Sequence, residues 1–165
     1  MERTRIFLCG RKGGPVSSRR VKEVLGRYLP SCLVEEGEGW PSDRQGPGLL
    51  LFRSGFCRPV EPALLPGWVA LLPAGCAEGL RALQGTGIPT VTCGASSRDT
   101  LSISSWDFPQ GAVSVLRGVT TLAGEPVEPG EIPVKMAAPL EPEGMLALCG
   151  ALILCGVPTE EGYLL

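Results

Sequence analysis

The chain has 165 residues, of which 44% are apolar, 23 are glycine and 16 are proline, and its formal charge is −2. The apolar content excludes a disordered chain, and the aperiodic placement of glycine and proline excludes collagen. The length predicts a single domain over residues 1–165, which is long enough to bury a sizeable core.

The residue types present exclude several kinds of chemistry. The sequence has no histidine, so the chain by itself holds neither a Ser-His-Asp nor a Cys-His nucleophile pair, nor a His-ligated zinc. Its seven cysteines include no CxxC spacing. This pattern favours reduced, mostly buried thiols and a cytoplasmic location over disulfides or a zinc ribbon. We expect no resident cofactor and no metal.

Charge and hydropathy bear on the partners. Residues 1–60 hold eleven basic and six acidic side chains, whereas residues 61–165 hold four and eleven. A local basic patch on an acidic protein does not predict nucleic-acid binding, which uses a basic domain or stripe. The longest apolar run, Met145–Cys155, is far shorter than the ~20 residues of a helix that spans a bilayer. We therefore expect no membrane span.

The first part of the chain predicts a strand–helix–strand unit. Arg5–Cys9 is a short apolar strand that ends at Gly10, and a basic, glycine-rich loop follows. A helix is predicted from Pro15, because proline suits the first helical position. Its apolar face is formed by residues at helical spacing, Val21, Val24, Leu25 and Tyr28. Pro30 ends this helix, and residues 31–34 predict the second strand.

The middle of the chain continues this alternation. Apolar runs at residues 49–52 and 68–72 predict two further strands, and residues 89–93 predict another. Between them a short helix is expected over residues 74–84. Its buried side is expected to hold three apolar residues, Ala77, Leu80 and Leu83. Strand–helix–strand units of this length imply parallel pairing with right-handed crossovers.

The last part of the chain has a different pattern. Polar and apolar residues alternate over 100–104, 112–116 and 131–136, with turn residues between them. Such alternation predicts antiparallel hairpins that are exposed on one face. Residues 142–155 predict a final helix that is apolar on nearly every side.

Together these patterns predict an α/β fold with a small Rossmann-like, mostly parallel sheet and helices over residues 1–94. Antiparallel hairpins over 95–140 and a C-terminal apolar helix over 141–157 complete it. A helix on the outside of a sheet normally keeps a polar face, so this helix must be covered. The cover is either the hairpin part of the same chain or the same helix of a second subunit in a homodimer.

The loop between the first strand and its helix has the composition of an anion site. Backbone N–H groups at a helix start are unpaired, and glycines let a phosphate approach closely. The candidate ligand-binding residues are Gly10, Arg11, Lys12, Gly13, Gly14, Ser17 and Ser18. The alternative is an ordinary tight turn with solvated basic side chains. The loop is not a Walker A sequence, since Gly14 stands where that motif has its lysine.

The order of these elements resembles the central domain of the Mur ligases, the ATP-dependent amino-acid ligases of peptidoglycan precursor synthesis. Residues 7–18 (FLCGRKGGPVSS) lie where that family has a strand leading into its TGTxGKT[ST] loop. The segment 88–94 (IPTVTCG) is similar to the end of a later strand of the family, and residues 137–151 (AAPLEPEGMLALCGA) resemble its alanine-rich helix.

The resemblance implies a shortened, degenerate form of that domain. Gly10 and Gly13 match glycines of the phosphate loop, whereas the loop lysine, the Thr or Ser after it, and the family's glutamate and histidines are missing. Phosphoryl transfer needs Mg²⁺ and a positive clamp on the transferred group, which this chain does not supply in the family's way. The resemblance therefore implies a non-catalytic cytoplasmic binding or scaffold module, with residues 10–18 as the candidate site for a phosphate-containing ligand.

A second hypothesis is a small enzyme. Cys93 ends a predicted strand, and ligands of open α/β sheets collect at the carboxyl ends of the strands. An arginine or a helix start beside such a cysteine lowers its pKa. Cys93 would then be the nucleophile, with Arg98 and Asp99 positioning an anionic substrate. The alternative for Cys93 is a small apolar residue at the end of a buried strand.

An aromatic pair, Trp106 and Phe108, lies at a predicted hairpin tip. Exposed aromatic side chains at such a tip would suit contact with a protein partner, because Trp is enriched in interface hot spots. The alternative is that the two rings fold back over the sheet.

Overall fold

A computed structural model describes residues 3–57 and 64–165, which contain three helices and eleven strands. The helices are α1 (Ser18–Tyr28), α2 (Ala77–Leu83) and α3 (Pro142–Leu154). The strands are β1 (Arg5–Cys9), β2 (Leu33–Gly37), β3 (Gly48–Phe52), β4 (Trp68–Pro73), β5 (Thr90–Cys93), β6 (Leu101–Asp107), β7 (Gln110–Val115), β8 (Val119–Thr120), β9 (Pro126–Val127), β10 (Gly130–Lys135) and β11 (Tyr163–Leu164).

The main sheet is mixed and mostly parallel. Its strand order in the described part of the chain is β11-β10-β7-β6-β5-β4-β3-β1-β2. Every neighbouring pair from β2 to β6 is parallel, whereas β7 pairs antiparallel with both β6 and β10. The predicted α/β class is confirmed. The predicted hairpin strands join the same sheet, and the short pair β8–β9 lies apart from it.

Two apolar layers cover the parallel strands. Ile6 and Leu8 of β1 belong to the layer that includes α1 and α3, whereas Phe7 and Cys9 belong to the layer that includes α2. Successive residues of a strand point to opposite faces, so a strand buried on both faces needs an unbroken apolar sequence. Gly48–Phe52 is such a strand, and all five of its residues are buried.

The first helix begins later than predicted from Pro15. Ser17 is the N-cap, and its side-chain oxygen accepts a hydrogen bond from the Arg20 N–H at 3.2 Å, so α1 starts at Ser18. A capping hydroxyl satisfies one of the free N–H groups of the first turn, which proline at the first helical position does not do. The predicted apolar face is confirmed, with three fully buried residues, Val21, Val24 and Leu25.

The second helix is shorter than predicted and turns a different side to the core. Hydrogen-bonded turns hold residues 73–77, so α2 begins only at Ala77. The predicted burial of Ala77 and Leu80 was wrong, because both are exposed. The buried residues are Gly79, Ala82 and Leu83. Gly79 lies so close to side chains of β3 and β4 that a Cβ there would be 3.0 Å from Phe52.

The final helix is covered within one copy of the chain. Residues 144–154 are all buried, and α3 contacts β3, β4, β6 and α1. The cover comes from the same chain, but from the parallel strands β3 and β4 and from α1 as well as from the hairpin strand β6, so the expected cover by the hairpin part alone was wrong. A homodimer stays a prediction. No helix in residues 3–57 or 64–165 has both the length and the apolar character that a membrane crossing requires.

Candidate functional site

The glycine-rich loop connects the carboxyl end of β1 to the first turn of α1. Gly10 has a φ of +123°, and a Cβ there would be 3.2 Å from the backbone of Phe56. Gly13 and Gly14 have φ values of +106° and +77° and face open space. A side chain is strained at such φ values, so the glycines are required by the path of this loop. Its exposed surface is mostly backbone and the side chains of Arg11 and Lys12.

The loop lies where the direction of strand order reverses. The chain goes from β1 to β2 on one side and then to β3 on the other side, which gives the order β2-β1-β3-β4-β5. In open α/β sheets, ligands bind outside the carboxyl ends of the strands at such a switch point. The loop after β3 faces the loop after β1 there. Arg53, the residue directly after β3, therefore lies next to the glycine-rich loop.

Arg53 is a buried cation under the glycine-rich loop. Its side chain is 4% exposed, and its guanidinium donates one hydrogen bond to the Arg11 carbonyl at 3.2 Å and another to the Glu36 carboxylate. Within the described part of the chain, its Nε has no hydrogen-bond partner. The Glu36 carboxylate compensates part of the cost of burying this charge, and the Nε is the donor left without a partner among the described residues.

Two acidic residues lie close to the cations of this region. Glu36 belongs to the edge strand β2, and Glu38 lies in the turn after it. The hydrogen bond from Arg53 is the main reason why the pKa of Glu36 lies below its ordinary value, and Lys12 and the Ser18 hydroxyl act in the same direction. Lys12 is 3.7 Å from Glu36, and Arg11 is 4.0 Å from Glu38. Both cations are well exposed, and exposed ion pairs contribute only about 0–1 kcal/mol.

A cavity of about 370 Å³ opens beside the loop. It is lined by residues after β1, β2 and β3, namely Gly10, Arg11, Glu38, Phe56 and Cys57. The predicted residues are therefore divided in position. Gly10 and Arg11 line the cavity, Ser17 caps α1, and Ser18 is one of the groups that lower the pKa of Glu36.

Sequence reasoning missed Arg53 and Glu36. Arg53 directly follows the fully apolar residues 49–52. A charged residue in that place indicates the carboxyl end of a buried strand, and this signal could have found Arg53. The sequence predicts the second strand only over residues 31–34, so Glu36 falls outside it. That strand lies at Leu33–Gly37, and as an edge strand it tolerates charged residues.

Cys93 does not have the environment of a reactive thiol. It is 3% exposed, and its Sγ lies 3.6 Å from the Leu72 carbonyl, to which it donates. Burial, with smaller contributions from Asp99 and Glu143, raises its pKa to about 12. The expected lowering by a neighbouring arginine was wrong, because the charges that act on the thiol are negative.

Arg98 and Asp99 are not arranged around Cys93 as a substrate clamp. Arg98 is exposed. Asp99 is 4% exposed, and its carboxylate accepts the Ser96 N–H at 3.0 Å. The backbone carbonyls of both residues accept hydrogen bonds from Arg117. These contacts stabilise the turn after β5, and they do not direct a cation towards the sulfur.

A second cavity, of about 440 Å³, lies at the carboxyl ends of β4 and β5, beside the first turn of α3. Cys93 lines it, together with Ser54, Ser102 and Glu143. The Glu143 carboxylate accepts two hydrogen bonds from Ser54, one from the backbone N–H and one from the hydroxyl, each 3.0 Å long. This pair joins the start of α3 to the segment after β3.

The predicted aromatic pair lies at the tip of the β6–β7 hairpin. Trp106 is 52% exposed and Phe108 is 50% exposed. The indole N–H of Trp106 donates to the Leu140 carbonyl at 2.9 Å, so the ring has a fixed orientation although half of it is in solvent. The two rings are therefore not folded fully over the sheet, and contact with a protein partner stays a prediction.

Comparison with models of known protein families and with curated proteins finds no match for this sequence. The functional assignment therefore depends on the geometry of the carboxyl edge of the sheet.

Proposed function

We propose that the protein is a non-catalytic cytoplasmic binding module that takes a phosphate-containing small molecule at the Gly10–Ser18 loop, as a degenerate form of the Mur ligase central domain would. The observation that carries the proposal is the pairing of this loop with Arg53 at the switch point of the sheet. Gly13 and Gly14 leave the surface of the loop open, with no atom within 4 Å of the position of a Cβ at either residue, and Arg53 beneath the loop donates to the Arg11 carbonyl and to the Glu36 carboxylate.

The acidic neighbours do not prevent anion binding. Lys12 and Arg11 keep 84% and 73% of their side chains exposed while they pair with Glu36 and Glu38. Such exposed pairs are weak, so a phosphate dianion can draw both cations from their carboxylates. Arg53 keeps its hydrogen bond to Glu36 and neutralises that carboxylate, so the positive charge offered to the phosphate comes from Lys12 and Arg11.

Catalysis is not part of the proposal. The loop has no lysine at the position of a phosphate-loop lysine. The residues described around it also do not include a group of three or more Cys, Asp or Glu side chains placed to hold a metal ion. Binding without turnover is the role for which the loop has the necessary groups.

Thermal unfolding in the presence of ATP, ADP, UDP-sugars and inorganic phosphate tests this proposal. A ligand at a hundredfold excess over its Kd stabilises the folded state by about 2.7 kcal/mol, and we expect a clear rise in Tm with at least one phosphate compound. A Tm that stays constant with every compound at millimolar concentration would contradict the proposal.

Two glycine variants make the test specific for the loop. Gly13→Ala adds a Cβ at a φ of +106°, and Gly124→Ala adds one at +85°, in both cases with no atom within 4 Å. Both variants carry similar backbone strain, but Gly124 lies in the remote β8–β9 turn. We expect Gly13→Ala to lose most of the ligand-induced rise in Tm and Gly124→Ala to keep it. Equal rises in both variants would exclude the loop as the site.

A further inference from the structure

The cavity between β4, β5 and α3 has a different chemical character from the glycine-rich loop. Its described lining includes Pro73, Ile103 and Leu146, which give it apolar walls, and polar groups at Ser54, Ser102 and Glu143. Among the described residues that line it, Glu143 alone is charged. Apolar walls with a few convergent polar groups, in a volume of about 440 Å³, are typical of a small-molecule site.

The carboxylate of Glu143 is oriented and not saturated. Ser54 donates to each of its two oxygens, and this fixes the direction of the group. An ionised carboxylate has about four acceptor positions, so two remain for donors from a ligand.

The charges around the cavity favour a cation over an anion. Glu143 lies in the first turn of α3, where its negative charge already satisfies the helix dipole. Asp99 adds a second negative charge, and both carboxylates act on the thiol at the cavity wall. Arg117 is directed to backbone carbonyls of the turn after β5 and does not enter the described lining.

We propose that this cavity is a second binding site, which takes a small molecule with an apolar body and a primary ammonium group, the ammonium bound by Glu143. The site is independent of the phosphate proposal, since it shares no lining residue with the cavity beside the glycine-rich loop. A ligand here would donate to the free acceptor positions of Glu143 and bury its apolar part against Ile103 and Leu146.

Three probes with the same ring test the proposal: cyclohexylmethylamine, cyclohexylmethanol and cyclohexanecarboxylate. The backbone amide shifts of Gly75 and Gly94, both in the lining, are followed by ¹⁵N NMR titration at pH 7. We expect saturable shifts, with a Kd for the amine about fivefold lower than for the alcohol and about tenfold lower than for the carboxylate. A carboxylate that binds as tightly as the amine, or shifts that never saturate, would overturn the proposal.

Two variants assign the preference to Glu143. Glu143→Gln retains the length of the side chain and an acceptor for Ser54, and should reduce the preference for amine over alcohol to less than twofold. Glu131→Gln is the matched control, because it removes the same charge from an exposed position on β10. An unchanged preference in Glu143→Gln would refute the role of Glu143.

A third variant keeps the test valid if Glu143→Gln weakens the fold. Ala95 is exposed and lines the cavity, so Ala95→Trp fills the opening without entering the core. We expect it to weaken binding of all three probes at least fivefold while the ¹⁵N NMR signals of residues outside the cavity stay as in the wild type, which shows that the fold is retained. Full binding of the amine by Ala95→Trp would show that the probe lies elsewhere.

Discussion

The parallel and antiparallel halves of the sheet differ in how they are covered. All five residues of β3, in the parallel half, are buried, whereas β10, in the antiparallel half, alternates buried Ile132 and Val134 with exposed Glu131, Pro133 and Lys135. Parallel strands need crossover connections, which place helices on the faces of the sheet, whereas hairpin strands need only tight turns. An inner parallel strand such as β3 is thus covered on both faces, whereas β10 keeps one face in water.

The same difference places both candidate sites. Crossover connections leave the carboxyl edge of every parallel strand and enter a helix or a turn, so loops gather at this edge. The glycine-rich loop follows β1, Arg53 follows β3, and Cys93 ends β5. The two candidate cavities thus lie in the parallel half of the sheet. Changes to the packing of this half test both the fold and the candidate sites.

The largest expected effect is on thiol labelling. Cys57 is exposed, whereas Cys93 lies under the cover of the parallel half. With its pKa raised to about 12 by burial, Cys93 has a thiolate fraction of about 10⁻⁴ at pH 8. We expect iodoacetamide to modify Cys57 at least about a thousandfold faster than Cys93, measured by peptide mass spectrometry over time.

Denatured protein provides the control for this measurement, since both cysteines should then react at similar rates. Rapid labelling of Cys93 in the native protein would contradict the closed cover. It would also restore the hypothesis of an enzyme with a reactive Cys93.

Truncation of a core leucine gives the next largest effect. Leu71 of β4 is completely buried and lies against α3, where its Cδ2 is 2.7 Å from the position of a Cβ on Gly150. Leu71→Ala should lower the free energy of unfolding by about 2–5 kcal/mol, because the tightly packed layer cannot close over the cavity. Urea unfolding at pH 7 measures the change.

The matched control is Leu116→Ala, directly after β7 in the half that is open to solvent. Leu116 is 41% exposed, so its truncation should cost less than about 1 kcal/mol. Equal losses for the two variants would show that the two halves of the sheet are covered to a similar extent.

The sequence predicted the core strands and the hairpins well because each has a clear periodicity. Runs such as residues 49–52 are apolar at every position, and residues 131–136 alternate. The sequence could not predict the rotation of α2, because Gly79 is buried by close approach to β3 and β4, and a glycine carries no hydropathy signal. The Arg53–Glu36 contact spans 17 positions and depends on strand order, which local patterns do not encode.

Removal of the buried guanidinium has a smaller effect, and it depends on pH. Arg53→Met should lower the free energy of unfolding at pH 7 by about 1–3 kcal/mol, because the Glu36 carboxylate and the Arg11 carbonyl lose a donor. The pKa of Glu36 is lower in the folded state than its ordinary value of 4.5. The contribution of the pair is therefore complete above that value and is lost as the pH falls through the lower folded-state pKa.

Urea unfolding at pH 7 and in steps below pH 4.5 tests this dependence, and the difference between wild type and Arg53→Met should shrink as the pH falls. Lys12→Met is the control, since Lys12 pairs with the same carboxylate but is 84% exposed. Its cost should stay below about 1 kcal/mol. A constant difference at every pH would mean that Arg53 acts through packing and not through its charge.

The smallest expected effect has the opposite sign and compares two helical glycines. Gly26 lies on the exposed side of α1, and a Cβ there meets no atom within 4 Å. Gly26→Ala should therefore raise the free energy of unfolding by about 0.5–1 kcal/mol, because alanine loses less backbone entropy in a helix.

Gly150→Ala gains the same helix propensity in the buried helix α3, but its Cβ would lie 2.7 Å from Leu71 and 2.9 Å from Leu101. Overpacking costs about 1–3 kcal/mol, so that variant should be destabilised. Stabilisation by both substitutions in thermal and urea unfolding would show that α3 is packed more loosely against the parallel strands than its burial indicates.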